Sequence, residues 1–250
     1  MILAHVVTFG LVIGSFLNVV IARLPERRSL WAPASACPGC GSAIAWRDNV
    51  PLLSFVMLRG RCRACAAPIS WRYPMVEALT AALFGLAWVA FGSNLVDFVV
   101  AAALLAALVA ITLIDLRYQI IPDAITLPGV LAGFLASLAS QRVSWLESAG
   151  GILLGGGLFV AVIVLSRGGM GGGDLKLGAM LGAFLGWKAL LVALFVAVVL
   201  GGVSAVALLA FGKLARKDAI PFGPFLAVGG AVALFWGDAL VAWYLGGFER

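Results

Sequence analysis

The sequence predicts an all-α, polytopic membrane protein of about eight transmembrane helices, with one small zinc-binding insert between the first two. Three observations carry this. Of the 250 residues, 63% are hydrophobic and only 11% charged, with a mean hydropathy of +1.12, which excludes an ordinary soluble domain. Apolar stretches recur near 2–22, 77–91, 95–114, 124–140, 147–166, 175–187, 189–212 and 225–246. Polar residues concentrate in one segment, 23–74, which holds eight Arg and all four Cys.

The first stretch follows Met1 with no basic residues before it, and it runs to Arg23 without a small-residue cleavage site. It therefore reads as a retained first span, 1–22, and not as a cleavable signal. The insert follows at 23–74, and the remaining spans make up a core at 75–250. Most stretches approach the roughly 20 residues a helix needs to cross hydrocarbon. The stretch at 175–187 is shorter and stops at Trp187 and Lys188, so a shallow or re-entrant segment stays open there.

Orientation follows from Lys and Arg, because basic loops stay cytoplasmic. With the N-terminus outside, Arg23, Arg27, Arg28, Arg47, Arg59, Arg61, Arg63, Arg72, Arg117, Arg167, Lys176, Lys213, Arg216 and Lys217 fall inside, and only Arg142, Lys188 and Arg250 fall outside. The formal net charge of +6 then reflects topology and attraction to anionic lipid headgroups. It is not a nucleic-acid footprint, because no basic residues interleave with stacking aromatics on a soluble module.

Within the insert, Cys37-Pro-Gly-Cys40 and Cys62-Arg-Ala-Cys65 are two C-x-x-C knuckles, spaced slightly beyond the usual zinc-ribbon interval. Two thiolates on each of two tight turns complete a tetrahedral shell for Zn2+. A closed four-cysteine site has no open position, so its metal would be structural. Redox-active or disulfide pairs are the alternative, and they suit a reducing cytoplasm poorly.

Acidic residues in or beside spans are costly, and six qualify: Glu77, Asp97, Asp115, Asp123, Asp174 and Asp238. Asp97 and Asp238 read as solvated interface positions at outer span ends. Glu77 suits the positive N-terminal end of the second span. Asp115 ends an apolar run at a helix C-terminus, where the macrodipole disfavours a carboxylate. Asp174 closes the glycine run Gly168–Asp174 on the same side, and both it and Asp123, after Pro122, are candidate helix caps.

A catalytic pair is the competing reading. Two carboxylates in a partly dry site share a proton, so one can act as acid while the other activates water against a peptide carbonyl. His5 is the only His and sits at the outer end, so Ser-His-Asp, Cys-His and zinc-hydrolase arrangements lack parts. The glycine run has no G-K-[ST] ending of a P-loop. It serves close backbone approach to a substrate, or helix packing.

Together these motifs resemble the type IV prepilin peptidases, the GxGD class of membrane aspartic proteases. The resemblance runs through Gly14-Ser15-Phe16-Leu17-Asn18-Val19-Val20 with Arg23-Leu24-Pro25, both knuckles, Asn49-Val50-Pro51-Leu52-Leu53-Ser54, Arg59-Gly60-Arg61-Cys62 and Ile69-Ser70-Trp71-Arg72-Tyr73-Pro74 with Glu77. It continues through Ile114-Asp115, Ile121-Pro122-Asp123, the GxGD element Gly171-Gly172-Gly173-Asp174 with Leu175-Lys176, and Ile220-Pro221-Phe222-Gly223-Pro224. The departures are Ala22, where an aromatic often stands, and several short loops.

The resemblance implies an enzyme of a bacterial inner membrane that cleaves the basic leader of type IV prepilins and type II secretion pseudopilins after a glycine, on the cytoplasmic side. The four-cysteine insert places the chain with bifunctional members, which then N-methylate the new N-terminus using S-adenosylmethionine. By motif, Asp115 and Asp174 are the catalytic pair, Asp123 is a neighbour, and Gly171, Gly172, Gly173 and Lys176 form the loop at the substrate. Glu77 and the insert are associated with the methyl donor. The residues alone do not choose Asp115 over Asp123. A transporter or channel would also use carboxylates and glycine breaks, though nearer the midplane, and an assembly scaffold would use the zinc insert to dock partners.

Overall fold

The computed structural model describes residues 1–166, 171–212 and 220–246. Gly168, Gly169 and Met170 of the glycine run, and Arg167, Lys213, Arg216, Lys217 and Arg250 of the orientation argument, lie outside these residues.

The chain is nearly all helix. Helix α1 (Ile2–Arg23) leads to the insert, which contains a short helix α2 (Leu53–Met57) and ends at α3 (Arg72–Phe91). Then come α4 (Leu95–Tyr118), α5 (Asp123–Ser137), α6 (Trp145–Leu165), α7 (Gly172–Ala210) and α8 (Gly223–Gly246). Six of them are long and apolar enough to cross a membrane, and α5 is a shorter apolar helix of 15 residues.

The expected count of about eight and this count of six differ because of α7 and α5. Helix α7 runs 39 residues, but Gly186 has non-helical backbone (φ 72, ψ 168). Before it, Gly178 and Gly182 meet Gly155 and Gly151 of α6. After it, Ala189 meets Gly237, Ala193 meets Gly229 and Gly201 meets Phe225 of α8. Contacts thus descend α6 and then return along α8 from its far end, so α7 is two antiparallel limbs joined at Gly186. The apolar stretches at 175–187 and 189–212 are those limbs. The first is about 21 Å long at 1.5 Å per residue, short for a hydrocarbon core of about 30 Å.

Helix α4 is apolar all round and occupies the centre. Its Leu104 and Ile111 are fully buried in a core that includes Leu181, Leu190 and Leu226, and its Ile114 is fully buried in a second cluster with Leu17, Ile21 and Val76. Elsewhere small residues let backbones touch, which is how helices associate where lipid removes the hydrophobic drive. A Cβ on Gly10 would lie 2.7 Å from Ala81 Cα, and one on Gly14 would lie 2.7 Å from Glu77 Cα, so α1 lies directly on α3. At the α6–α7 seam a Cβ on Gly155 would strike the Gly178 carbonyl. Gly155→Leu is therefore expected to destabilise the fold by about 3 kcal/mol or more, because the obstacle is backbone and cannot rotate away. The check is its thermal aggregation temperature in detergent, which should fall well below wild type.

The two ends of the bundle differ. One end gathers Arg142, which stacks 4.2 Å over the Phe91 ring and pairs with Asp238 at 3.4 Å, together with the Lys188–Glu147 pair at 3.2 Å. Asp238 is exposed there as expected, but Asp97 is not solvated: it is 8% exposed and accepts a 2.7 Å bond from the Ser140 hydroxyl. Sequence gave no sign of this because Ser140 lies 43 residues away. The opposite end carries the insert and, at the C-terminus of α4 and the N-termini of α7 and α8, Asp115, Asp174 and Gly223.

Candidate active site

Three chain segments converge at that end. Asp115 sits in the last turn of α4 and is 5% exposed. Its Oδ2 accepts a 3.0 Å hydrogen bond from the backbone N–H of Gly223, the first residue of α8. This answers the problem of a carboxylate at a helix C-terminus: the N-terminus of another helix points its positive end at the same group. Asp174 is half-buried in the first turn of α7, and its backbone N–H donates to the Gly171 carbonyl at 3.2 Å. The two carboxylates lie within electrostatic reach of one another.

Ile121, from the α4–α5 loop, is the wedge between these segments. A Cβ on Gly173 would lie 2.9 Å from Ile121 Cβ, and a Cβ on Gly223 would lie 2.6 Å from Asp115 Oδ2 and 3.3 Å from Ile121 Cδ1. Gly173 and Gly223 thus hold the approach of α7 and α8 to Asp115. Gly172 has open space around its Cα, and Gly171 is the residue preceding the helix. Neither aspartate singled out as a possible cap is one: Gly171 and Pro122 occupy the N-cap positions, and Asp174 and Asp123 fall inside the first turns.

Asp123 has a different environment. Its Oδ1 pairs with Lys176 Nζ at 2.6 Å, with the two side chains 57% and 33% exposed. The pair bolts the start of α5 to the start of α7, and an exposed pair is worth less than about 1 kcal/mol. Asp123→Asn and Lys176→Ala are each expected to retain substrate cleavage within roughly tenfold of wild type. Kinetic assay of both variants, reconstituted in lipid, checks this.

Glu77 is not a helix-terminal charge in solvent. It lies 8% exposed on the second turn of α3 and accepts a 2.8 Å bond from the Leu52 N–H of the insert. This carboxylate ties the insert to the bundle.

The insert itself is built from two equivalent turns. Cys37 N–H bonds Ser42 O and Gly41 N–H bonds Cys37 O; Cys62 N–H bonds Ala67 O and Ala66 N–H bonds Cys62 O. The residue after each second cysteine has positive φ, Gly41 at 70° and Ala66 at 56°, and only the glycine adopts this without cost. Arg63 forks onto Asp48 at 2.6 and 2.8 Å and fixes the second turn to the first half of the insert. The Sγ atoms of Cys37, Cys40, Cys62 and Cys65 all lie within 4.8 Å of one another, with Cys37 and Cys65 at 3.8 Å. A tetrahedral site with metal–sulfur bonds of about 2.3 Å has edges near 3.8 Å, so the four fit a metal such as zinc. The Ser42 hydroxyl, 3.3 Å from Cys40 Sγ, helps hold that thiol down at about 6, which favours the thiolate a metal needs.

The model of the bacterial peptidase A24 N-terminal domain matches residues 8–91, and that of the type IV leader peptidase family matches 102–206. A prepilin leader peptidase/N-methyltransferase of Aeromonas hydrophila is 41% identical, covering 96% of this chain and 92% of its own. Proteins of the same name from Bacillus subtilis and Legionella pneumophila are 37% and 36% identical, each over 95% of this chain and over 95% and 92% of their own lengths. No solved structure matches.

Proposed function

The chain belongs to the type IV leader peptidase family, and from that premise we propose that it is a two-activity membrane enzyme: it removes the leader peptide of prepilins and pseudopilins and methylates the N-terminus so exposed. The observation that supports the peptidase reading best is the meeting of Asp115 and Asp174 at one end of the bundle, each on a different helix. That end also carries the insert, whose basic residues support a reading in which the site faces the cytoplasm at a bacterial inner membrane. A transport site would sit nearer mid-depth.

In the proposed mechanism Asp115 and Asp174 share one proton. The ionised member draws a proton from a water molecule, which attacks the scissile carbonyl, and the protonated member gives its proton to the departing amine. Gly223 N–H fixes the Asp115 carboxylate for this step, and the open space at Gly172 admits substrate backbone. The apolar surfaces of the helices accept an apolar substrate segment within the bilayer, while a basic leader stays in water.

Zn2+ in the four-cysteine site would fold the insert and take no part in hydrolysis. One zinc per chain is expected, lost in Cys62→Ser, with increased proteolysis of residues 24–71; metal analysis and limited digestion check both. Methyl transfer calls for S-adenosylmethionine as donor. Glu77 does not fit a donor contact, being buried and already engaged by the Leu52 N–H, and it serves to anchor the insert.

Mass spectrometry of a prepilin incubated in proteoliposomes tests the reading. Loss of the leader, plus about 14 Da on the mature product only when the donor is added, supports both activities; intact substrate with folded enzyme overturns it.

A further inference from the structure

The insert carries the whole net charge of the chain: residues 23–74 hold eight Arg against Glu26 and Asp48, a balance of +6 that equals the total. Arg27, Arg47, Arg59 and Arg61 are exposed and make no ion pair among the described residues. A soluble basic module would keep its large apolar side chains covered, and this one does not. Trp31 is 87% exposed, Trp71 70%, Val56 70% and Met57 71%.

These side chains stand beside the spans. The Trp31 ring lies 6.2 Å from that of Phe16, on the exposed face of α1, seven residues before the helix ends and so about 10 Å back from its end. Arg23 holds this return of the chain through bonds to Ser29 O at 3.0 Å and Pro33 O at 2.8 Å. On the other side, α2 is tied by Leu52 to Glu77, a turn and a half into α3, and Phe55 packs on Trp71 at 4.8 Å. Leu53, Val56 and Met57, at i, i+3 and i+4, form one exposed face of α2. Both apolar features therefore lie at the depth of the last helical turns, the boundary between headgroups and acyl chains, where Trp concentrates.

We infer that the insert is a membrane-interface module, seated through Trp31 and the Leu53–Val56–Met57 face of α2 on the surface of an anionic bilayer. Continuity with the lipid-facing surface of α1 and the charge of +6 select a lipid surface as occupant. The inference goes beyond the enzymatic reading and does not depend on it.

The test uses the full chain in nanodiscs of phosphatidylcholine with or without phosphatidylglycerol. Amide exchange across 28–33 and 52–58 is expected to be about five-fold or more slower with the anionic lipid, an advantage that high salt reduces. Lipids brominated near the interface should quench wild type more than Trp31→Phe. Val56→Ser combined with Met57→Ser should remove the slowing at 52–58 while zinc content, the folding control, stays unchanged. Exchange indifferent to lipid charge, or equal bromolipid quenching in wild type and Trp31→Phe, overturns the inference. Protection that arises only when a second protein is added also overturns it and marks the face as a protein-docking surface.

Discussion

Asp115→Asn and Asp174→Asn are each expected to lower leader cleavage by at least about 10^3-fold while leaving protein level and zinc content at wild-type values. The size follows from the chemistry. An amide can neither take the proton from water nor return one to the leaving amine, and among the described residues Asp123, at the start of α5, is already paired with Lys176. The selectivity of the loss matters as much as its size. Asn is nearly isosteric with Asp, and its oxygen can still accept from Gly223 at position 115, so the fold should persist. Rate measurement in proteoliposomes, with thermal stability recorded on the same preparations, separates lost chemistry from lost structure.

Gly223→Ala and Gly173→Val are expected to cost about 10^2-fold in kcat with little change in the amount of folded protein, because displacement by about 1 Å near reacting groups has that scale. A methyl on Gly223 would stand 2.6 Å from Asp115 Oδ2. The Asp115 side chain would have to turn away, and with it the acceptor of the Gly223 N–H. At Gly173 the obstacle is the Cβ of Ile121 at 2.9 Å, which no rotamer change relieves, so the first turn of α7 and Asp174 must shift outward. Ile121→Gly combined with Gly173→Val should recover part of the rate, since it removes the Cβ that stands in the way. Single-turnover kinetics of the two single variants and this double variant check the argument.

How far the sequence reached depends on what each residue touches. Helical membrane architecture was legible because it follows from composition and stretch length, and the break near Trp187-Lys188 did mark the turn between the limbs of α7. The four-cysteine cluster was legible because both knuckles are local. Asp115, Asp123 and Asp174 were legible as a set of carboxylates at span ends, but Asp115 and Asp123 differ through partners 108 and 53 residues away, Gly223 and Lys176. No local pattern carries that information. The same limit explains Asp97 and Glu77, whose burial rests on Ser140 and on Leu52. The role of Gly223 left one trace, the following Pro224: a proline in the first turn marks a helix start and leaves the preceding N–H as the available donor.

The most direct test of the account is whether Asp115 and Asp174 act as one unit. Single-turnover cleavage would be measured for wild type, Asp115→Asn, Asp174→Asn and the double variant, all in the same lipid. The account predicts that both single variants fall to the same floor as the double, since half a proton-sharing pair does no more than none. A single variant that stays within about tenfold of wild type, or losses that multiply in the double, would contradict it.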